Sequence, residues 1–594
     1  MKARKSAWFL AIVTGVVATL TSSLCVAEEK YPEKAEIDRL TKLGKELTPA
    51  LTKKQREELC LQVAPAPDEF AYVLATGYGK SDNYPKTVDE FEGLIVNMKN
   101  AGYNTLYGVY REWRVPILRK HGVKLMIDIL AWGPDAQHDI RDPRMWQRPR
   151  VKEICEKVRN DRAVWGYNLW NETLDHYFRS GGDMNFHHAL IKKWDGTHPI
   201  WIGTKYSKSL GWMWGNPGVV AWYDYHWRRG FGFHYGHCSI YAKFAEERRS
   251  FMGRWLHVYS YNQNMYTLNT TIAHGLKVCM WFIGQVWHER DQKWNDNHHF
   301  VRIGREMKSL WPELAKIGRP VCHKEDGKIK SIEVFSTPEI DPKTRQPRID
   351  AKTKKVKIIG GWRAFPEDHW CQAKSGSVVA GFFKYPDGDD AIYVASHDAG
   401  KPMKVSLDFS NRAKKGEKFV VGFFDRKTGK WNQMKLTGNC AAFDLAIAGG
   451  ELLSVGPKLR RSRKTLEELG KCTGDVDWAE YALQVAWDLE GPGLEKSVTL
   501  YQQITAKYTG KKQAEKAKKR LALLEPRLKD EKAAWADYQK LLTLSGKLKE
   551  GSVDKAIGEK LLAGTKALYA RFPTTMGAAR ARALCEKFKL ADWL

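Results

Sequence analysis

Trp170-Asn171-Glu172 closes an apolar run that starts at Ala163, so a strand-like stretch turns polar within ten residues. A carboxyl group at the carboxyl end of a buried parallel strand can give or take a proton beside a ligand, because the following loops converge there. The same Asn171-Glu172 pair could equally open the next helix, with Thr173 and Asp175 helping to cap it. Acid/base work usually needs a second group, and three further acids stand at or near predicted strand ends. Asp224 comes first, set among Trp222, Tyr223, Tyr225, His226 and Trp227. Glu289 is second, although Arg290 and Asp291 beside it also suit a surface ion cluster. Asp128 is third, and a buried hydrogen-bonding role fits it better. Trp132, Trp170, Trp222, Trp227, Trp281 and Trp287 fall near the same strand ends, with Tyr261 at the end of the seventh. Their flat faces can stack on the C–H surfaces of a sugar while Asn and His bind hydroxyls, and a core role accounts for about half of them.

The elements that must position these residues are strand-like runs at 70–75, 104–109, 123–130, 164–170, 200–203, 219–225, 255–261 and 278–283. Helical patterns alternate with them, among others at 87–100, 144–160, 186–194, 241–252 and 268–275. Consecutive parallel strands need such crossovers, and eight of them predict a closed (β/α)₈ barrel over residues 68–320. No Gly-x-Gly-x-x-Gly turn follows the first run, which removes the best support for an open doubly wound sheet. Residues 28–67 read as a helical preface and linker. From 321 to 457 short alternating runs between turn signals predict an antiparallel β-sandwich. After a basic linker around Arg460-Arg461-Ser462-Arg463-Lys464, residues 465–594 are helical, and the blocks at 500–508 and 567–573 resemble tetratricopeptide-like helix pairs, with a plain bundle as the equal alternative.

Three short matches in order mark a resemblance to glycoside hydrolase barrels. Asn97-Met98-Lys99-Asn100-Ala101-Gly102-Tyr103-Asn104-Thr105 is similar to the passage into their second strand. Arg119 to Asp128 is similar to the approach to their third, and Trp170-Asn171-Glu172 resembles the Asn-Glu that ends strand four in the large retaining superfamily. The resemblance implies that Glu172 is the general acid/base and that Asn171 binds the hydroxyl beside the anomeric carbon. It also implies a glutamate nucleophile after strand seven, and here the chain departs, since residues 255–263 hold no carboxylate. Glycosidic hydrolysis generally takes two carboxyl groups flanking the bond. Another group of sugar-cleaving barrels pairs carboxylates after strands four and six, an arrangement that Glu172 with Asp224 is similar to. The remaining sugar contacts expected are Asn171, Trp132, Trp170, Trp222, His226, Tyr261, Trp287 and Glu289. The competing expectation is a non-catalytic glycan-binding or envelope scaffold protein on a glycosidase-like barrel.

Composition bounds the setting. Lys2, Arg4 and Lys5 precede an apolar run from Ala7 to Leu20, and Cys25-Val26-Ala27 follows, so residues 1–27 read as a secretory signal cut after Ala27. That predicts a secreted or periplasmic protein with no integral membrane segment after removal of the signal. Taking the signal's three basic residues from the formal +28 leaves +25; because Lys and Arg are spread through every segment this reads first as a solvated basic surface, with an anionic glycan or envelope as the counterpart if there is one. No nucleic-acid module is present in the pattern, and a protein partner is expected only through the C-terminal helices. Nine cysteines follow Cys25 without a Cys-x-x-Cys spacing, and Cys155 and Cys279 read as buried small residues. His187-His188 and His298-His299 are adjacent pairs whose side chains diverge on a helix, so neither metal nor cofactor is expected.

Overall fold

Short apolar runs separated by helices can pair only side by side and in parallel, since each helix carries the chain back across the sheet. The computed structural model describes residues 34–47, 51–64, 69–75, 84–129, 148–173, 182–204, 210, 213, 215–223, 231–256, 259–281, 286–288, 293–341, 343–344, 346–472, 477–548 and 554–590. The expected leader at 1–27 lies outside them. Helices α1 (Lys34–Leu47) and α2 (Lys53–Leu61) come first, α2 opened by a Thr52/Gln55 capping box. Strands β1 (Ala71–Ala75), β2 (Thr105–Gly108), β3 (Lys124–Asp128), β4 (Val164–Thr173), β5 (Ile200–Thr204), β6 (Gly218–Tyr223), β7 (Phe251–Leu256) and β8 (Leu276–Trp281) then form a closed parallel barrel in sequence order. Every residue of β1, β2, β3, β5 and β8 is buried, which is why these runs are mostly apolar and do not alternate.

Around the barrel run α3 (Val88–Asn100), α4 (Arg114–His121), α5 (Arg148–Val158), α6 (Gly182–Trp194), α7 (Phe231–Glu247), α8 (Tyr261–Ile272), α9 (His299–Met307) and α10 (Trp311–Lys316). Several boundaries differ from the sequence reading. β7 starts four residues early and stops at Leu256, because the Ser260 hydroxyl accepts from the Gln263 N–H while Gln263 returns to the Ser260 N–H. That capping box starts a helix at Tyr261, where the aromatic and β-branched residues had suggested continued strand. α7 likewise occupies 231–247, and Met252, expected at the end of a helix, lies inside β7.

Residues 321–457 form a seven-stranded sheet and a three-stranded sheet, both largely antiparallel, with a core that includes Phe335, Phe382, Ile392, Val405 and Leu453. In the larger sheet, the strands Val378–Lys384, Asp390–Ser396 and Gly450–Gly456 are neighbours. The last region is helical, with α11 (Trp478–Leu489), α12 (Leu494–Lys507), the long α13 (Lys512–Ser545), α14 (Lys555–Arg571) and α15 (Met576–Lys587). It holds to the barrel through ion pairs of Arg580 with Asp89 and Glu92 on α3 and a stack of Arg162 on Trp487, 3.4 Å from the ring centre. No described helix is long and apolar enough to cross a membrane. All nine described cysteines are free thiols, and Cys155 and Cys279 are fully buried.

The sandwich meets the barrel across a buried polar seam. The Tyr393 hydroxyl donates to Asn269 Oδ1 at 2.5 Å, Asn269 Nδ2 donates to the Ala448 carbonyl at 2.8 Å, and Trp431 Nε1 donates to Glu313 at 3.1 Å. Gly381, in the strand Val378–Lys384, packs so tightly on the end of α8 that a Cβ would lie 1.8 Å from the Ala273 carbonyl oxygen. Two histidines lie in the seam. His274 Nε2 accepts from Trp362 Nε1 at 3.0 Å, and His397 lies 2.9 Å from the Ser336 hydroxyl and 3.3 Å from that of Tyr266. Burial holds their pKa values down, His274 at about 4 and His397 at about 3. Both are therefore neutral in the folded protein near neutral pH, whereas an unfolded histidine takes a proton near about 6.5. Between those values the unfolded state binds more protons, so stability falls as pH drops from about 6.5 toward about 4. We expect the urea midpoint to be lower at pH 5 than at pH 7, by an amount that shrinks in His397→Gln; an equal drop in wild type and variant would contradict this.

Candidate active site

The inner faces of β2, β3 and β4 end in polar residues. The Tyr107 hydroxyl donates to Asp128 Oδ2 at 2.7 Å, and Asn168 Nδ2 donates to the Tyr107 oxygen at 3.0 Å. Strands β3 and β4 pair in register at Asp128 and Asn168, so the group forms one layer near the carboxyl end of the barrel. Trp255, the last residue but one of β7, meets the Tyr107 ring edge-on with centroids 6.1 Å apart. All four side chains are buried. Asn168 Oδ1 has no hydrogen-bond partner among the described residues. Buried carbonyl oxygens are normally paired, so this one lacks the partner such a group usually has.

Below this layer the barrel is filled. Val73, Met126, Trp165, Trp201, Val219 and Met280 make up most of the interior packing. Gly253 is required there because a Cβ would sit 2.3 Å from the Trp201 ring. With the floor packed, a ligand can approach only from the carboxyl end, where such barrels carry their sites.

An irregularity in β4 sets which residues face in. Leu125 pairs with Val164 but Met126 pairs with Gly166, so one extra residue is inserted at Trp165. As a result Trp165 joins the interior cluster and Asn168 reaches Tyr107, although they are an odd number of residues apart. Strict alternation from Trp165 would have turned Asn168 outward, which is why sequence reasoning missed it. Tyr107 and Trp255 were missed because aromatics in apolar strands carry no separate signal; Asp128 has the buried hydrogen-bonding place expected of it.

The expected residues divide into three groups. Trp170, Asn171 and Glu172 belong to β4, which runs on to Thr173, so the backbone of Glu172 lies about 13 Å along the strand beyond Asn168. Their side chains lie outside the described residues, as do Trp132, Asp224, His226 and Glu289. Trp222 requires a correction. It was expected in the cleft but points out of the barrel, stacked at 4.9 Å and 7° on His237 of α7 and covered by the Arg254 guanidinium 4.2 Å from its ring centre. Residue alternation in β6 and β7 places Trp222 and Arg254 on the outer face, opposite to Trp255. Tyr261 is held by α9, its ring under Arg302 and its hydroxyl donating to Glu306 at 2.5 Å. Trp287 is buried in a short hairpin with Trp294 that follows β8. The His298-His299 pair has structural roles, with His298 Nδ1 accepting from the Phe300 N–H at 3.2 Å and His299 Nε2 2.8 Å from Asn264 Nδ2.

No protein-family model matches the chain, and no curated protein sequence matches it. Solved structures that match it include glycoside hydrolases. A maltogenic α-amylase from Thermotoga neapolitana covers 64% of this chain and 98% of its own at 10% identity and a TM-score of 0.34. A β-L-arabinopyranosidase from Geobacillus stearothermophilus covers 68% and 99% at 9% identity and 0.37, and an endo-1,4-β-mannanase from Rhizomucor miehei covers 40% and 95% at 10% and 0.31.

Tyr107→Phe removes both the donor to Asp128 and the acceptor for Asn168 while keeping the ring against Trp255. We expect a loss of about 1–3 kcal/mol in denaturant unfolding, from buried groups left short of a partner. A variant as stable as the parent would show that the trio is not a structural unit.

Proposed function

We propose that the protein is an exported glycoside hydrolase acting on a polysaccharide or oligosaccharide at the carboxyl end of its barrel. Glu172 is the general acid/base, Asn171 binds the hydroxyl next to the anomeric carbon, and Asp224 is the second carboxylate. The observation that carries this reading is the buried Asp128–Tyr107–Asn168 layer next to the end of β4. It sets an unpaired acceptor and a fixed carboxylate about 13 Å down the strand from the backbone of Glu172. Polar groups set into an otherwise apolar barrel suit a ligand made of hydroxyls on C–H faces, and Trp255 offers a ring beside them.

Chemically, Glu172 in its protonated form would assist departure of the leaving oxygen, and the partner carboxylate would attack or activate water. A non-catalytic glycan-binding reading is favoured by one feature, the lack of any carboxylate in residues 255–263 after strand seven. Binding and reducing-end release measured side by side on one glycan panel separate the two. The hydrolase reading predicts release, and a fall of about 10²–10⁴-fold in kcat for Glu172→Gln with binding kept. Binding without release in the parent protein would establish the scaffold reading, and unchanged release in Glu172→Gln would remove Glu172 from the mechanism.

A further inference from the structure

Between the strand Val334–Ser336 and Ile359 the chain leaves the sandwich and folds into a small arm built on a nine-residue repeat. Three segments, Pro338-Glu339-Ile340, Pro347-Arg348-Ile349 and Val356-Lys357-Ile358, occupy equivalent places. The last residue of each bridges to the first of the next, Ile340 to Pro347, Ile349 to Val356 and Ile358 back to Pro338. Their central residues close a ring of backbone hydrogen bonds. The Arg348 N–H donates to the Glu339 carbonyl at 2.8 Å, that of Lys357 to Arg348 at 2.8 Å and that of Glu339 to Lys357 at 2.9 Å. The two turns between segments repeat an Asp-x-Lys-Thr pattern. Asp341 Oδ1 accepts from the N–H groups of Lys343 and Thr344, and Asp350 Oδ1 from those of Lys352 and Thr353. Such turns are self-sufficient, so the arm can hold its shape without packing on the rest of the sandwich.

Its surface is unusual in two ways. Ile340, Ile349 and Val356 are 49%, 56% and 43% exposed, close together in a segment with no core of its own. The arm's ion pairs engage Arg348 with Glu339 and Asp341, and Lys357 with Glu339. That leaves Lys343, Lys352, Lys354 and Lys355 exposed and without an ion pair among the described residues. Exposed aliphatic side chains beside unpaired lysines complement a surface that is anionic at its face and apolar just beneath it.

We propose that this arm docks on an anionic lipid bilayer, its lysines on the headgroup phosphates and its isoleucines and valine in the headgroup–acyl boundary. An acidic polysaccharide would match the lysines but leave the aliphatics exposed, and residues 338–358 contain no aromatic ring to stack on a sugar. The polybasic attraction falls off within a Debye length, so the aliphatics are what would keep the arm down at raised salt.

The test is co-sedimentation of the full chain with phosphatidylcholine vesicles, with and without phosphatidylglycerol. Because the whole chain is strongly cationic, reversal of Lys352, Lys354 and Lys355 to Glu is compared with reversal of Lys516, Lys518 and Lys519 to Glu, exposed lysines of α13. We expect binding only to the phosphatidylglycerol vesicles, weakened about tenfold or more by the arm reversal and about twofold or less by the α13 reversal. Ile349→Ser with Val356→Ser should bind at low salt and release earlier than the parent as salt is raised. Unchanged thermal unfolding of each variant excludes a folding defect. Failure to bind either vesicle, equal loss from both reversals, or displacement by polygalacturonate with no dependence on Ile349 and Val356 would each overturn the proposal.

Discussion

The inside of a closed parallel barrel has to be filled, and here it is filled with indole. Trp165 and Trp201 occupy space that smaller residues would leave as a void, and the price is a glycine at 253 with no room for a methyl group. Once the floor is packed this way, the polar inward positions that remain are those nearest the strand ends. Tyr107, Asp128 and Asn168 take them, each satisfying another, so that the apolar barrel ends in a hydrogen-bonded layer. The extra residue at Trp165 serves both requirements, delivering an indole to the floor and an amide to the layer from one strand.

The outer shell keeps that arrangement from relaxing. Arg254 is wholly buried between barrel and helices, stacked on Trp222 and hydrogen-bonded to Thr271 of α8. α8 in turn carries Asn269, which the sandwich grips through Tyr393 and the Ala448 carbonyl. A contact chain thus runs from β7 through α8 to the sandwich. In this architecture the sandwich braces the barrel wall that bears Trp255. On another side, Arg119 bonds both Asp161 of the barrel and the Thr574 carbonyl before α15, tying the helical region to the crossover between β4 and its preceding helix.

Much of the fold was legible because buried parallel strands are apolar on both faces and short, and all eight were found near their true places. What was not legible followed from local competition. At Ser260 a capping box overrode the strand propensity of Tyr259 and Tyr261, and around Gly166 an inserted residue reversed the inside and outside of β4. Trp222 illustrates a further limit. A tryptophan near the carboxyl end of a strand can face either way, and the partner that decides it, Arg254, lies on the next strand. The strand end bearing Asn171 and Glu172 was visible in the sequence, whereas the layer beneath it depended on three strands meeting in space. The helical tail was legible as helical, and within it α13 runs unbroken through Pro526 as one helix of 34 residues.

The central claim is that saccharide binds at the barrel mouth, between the Asp128–Tyr107–Asn168 layer and Glu172. The most direct measurement is a crystal structure of the Glu172→Gln protein with an oligosaccharide selected by the glycan panel. The expected result is a sugar ring facing the Asp128–Tyr107–Asn168 layer with its glycosidic oxygen within hydrogen-bond reach of residue 172. A saccharide seated on the sandwich or the helical region, with the barrel mouth unoccupied, would contradict it.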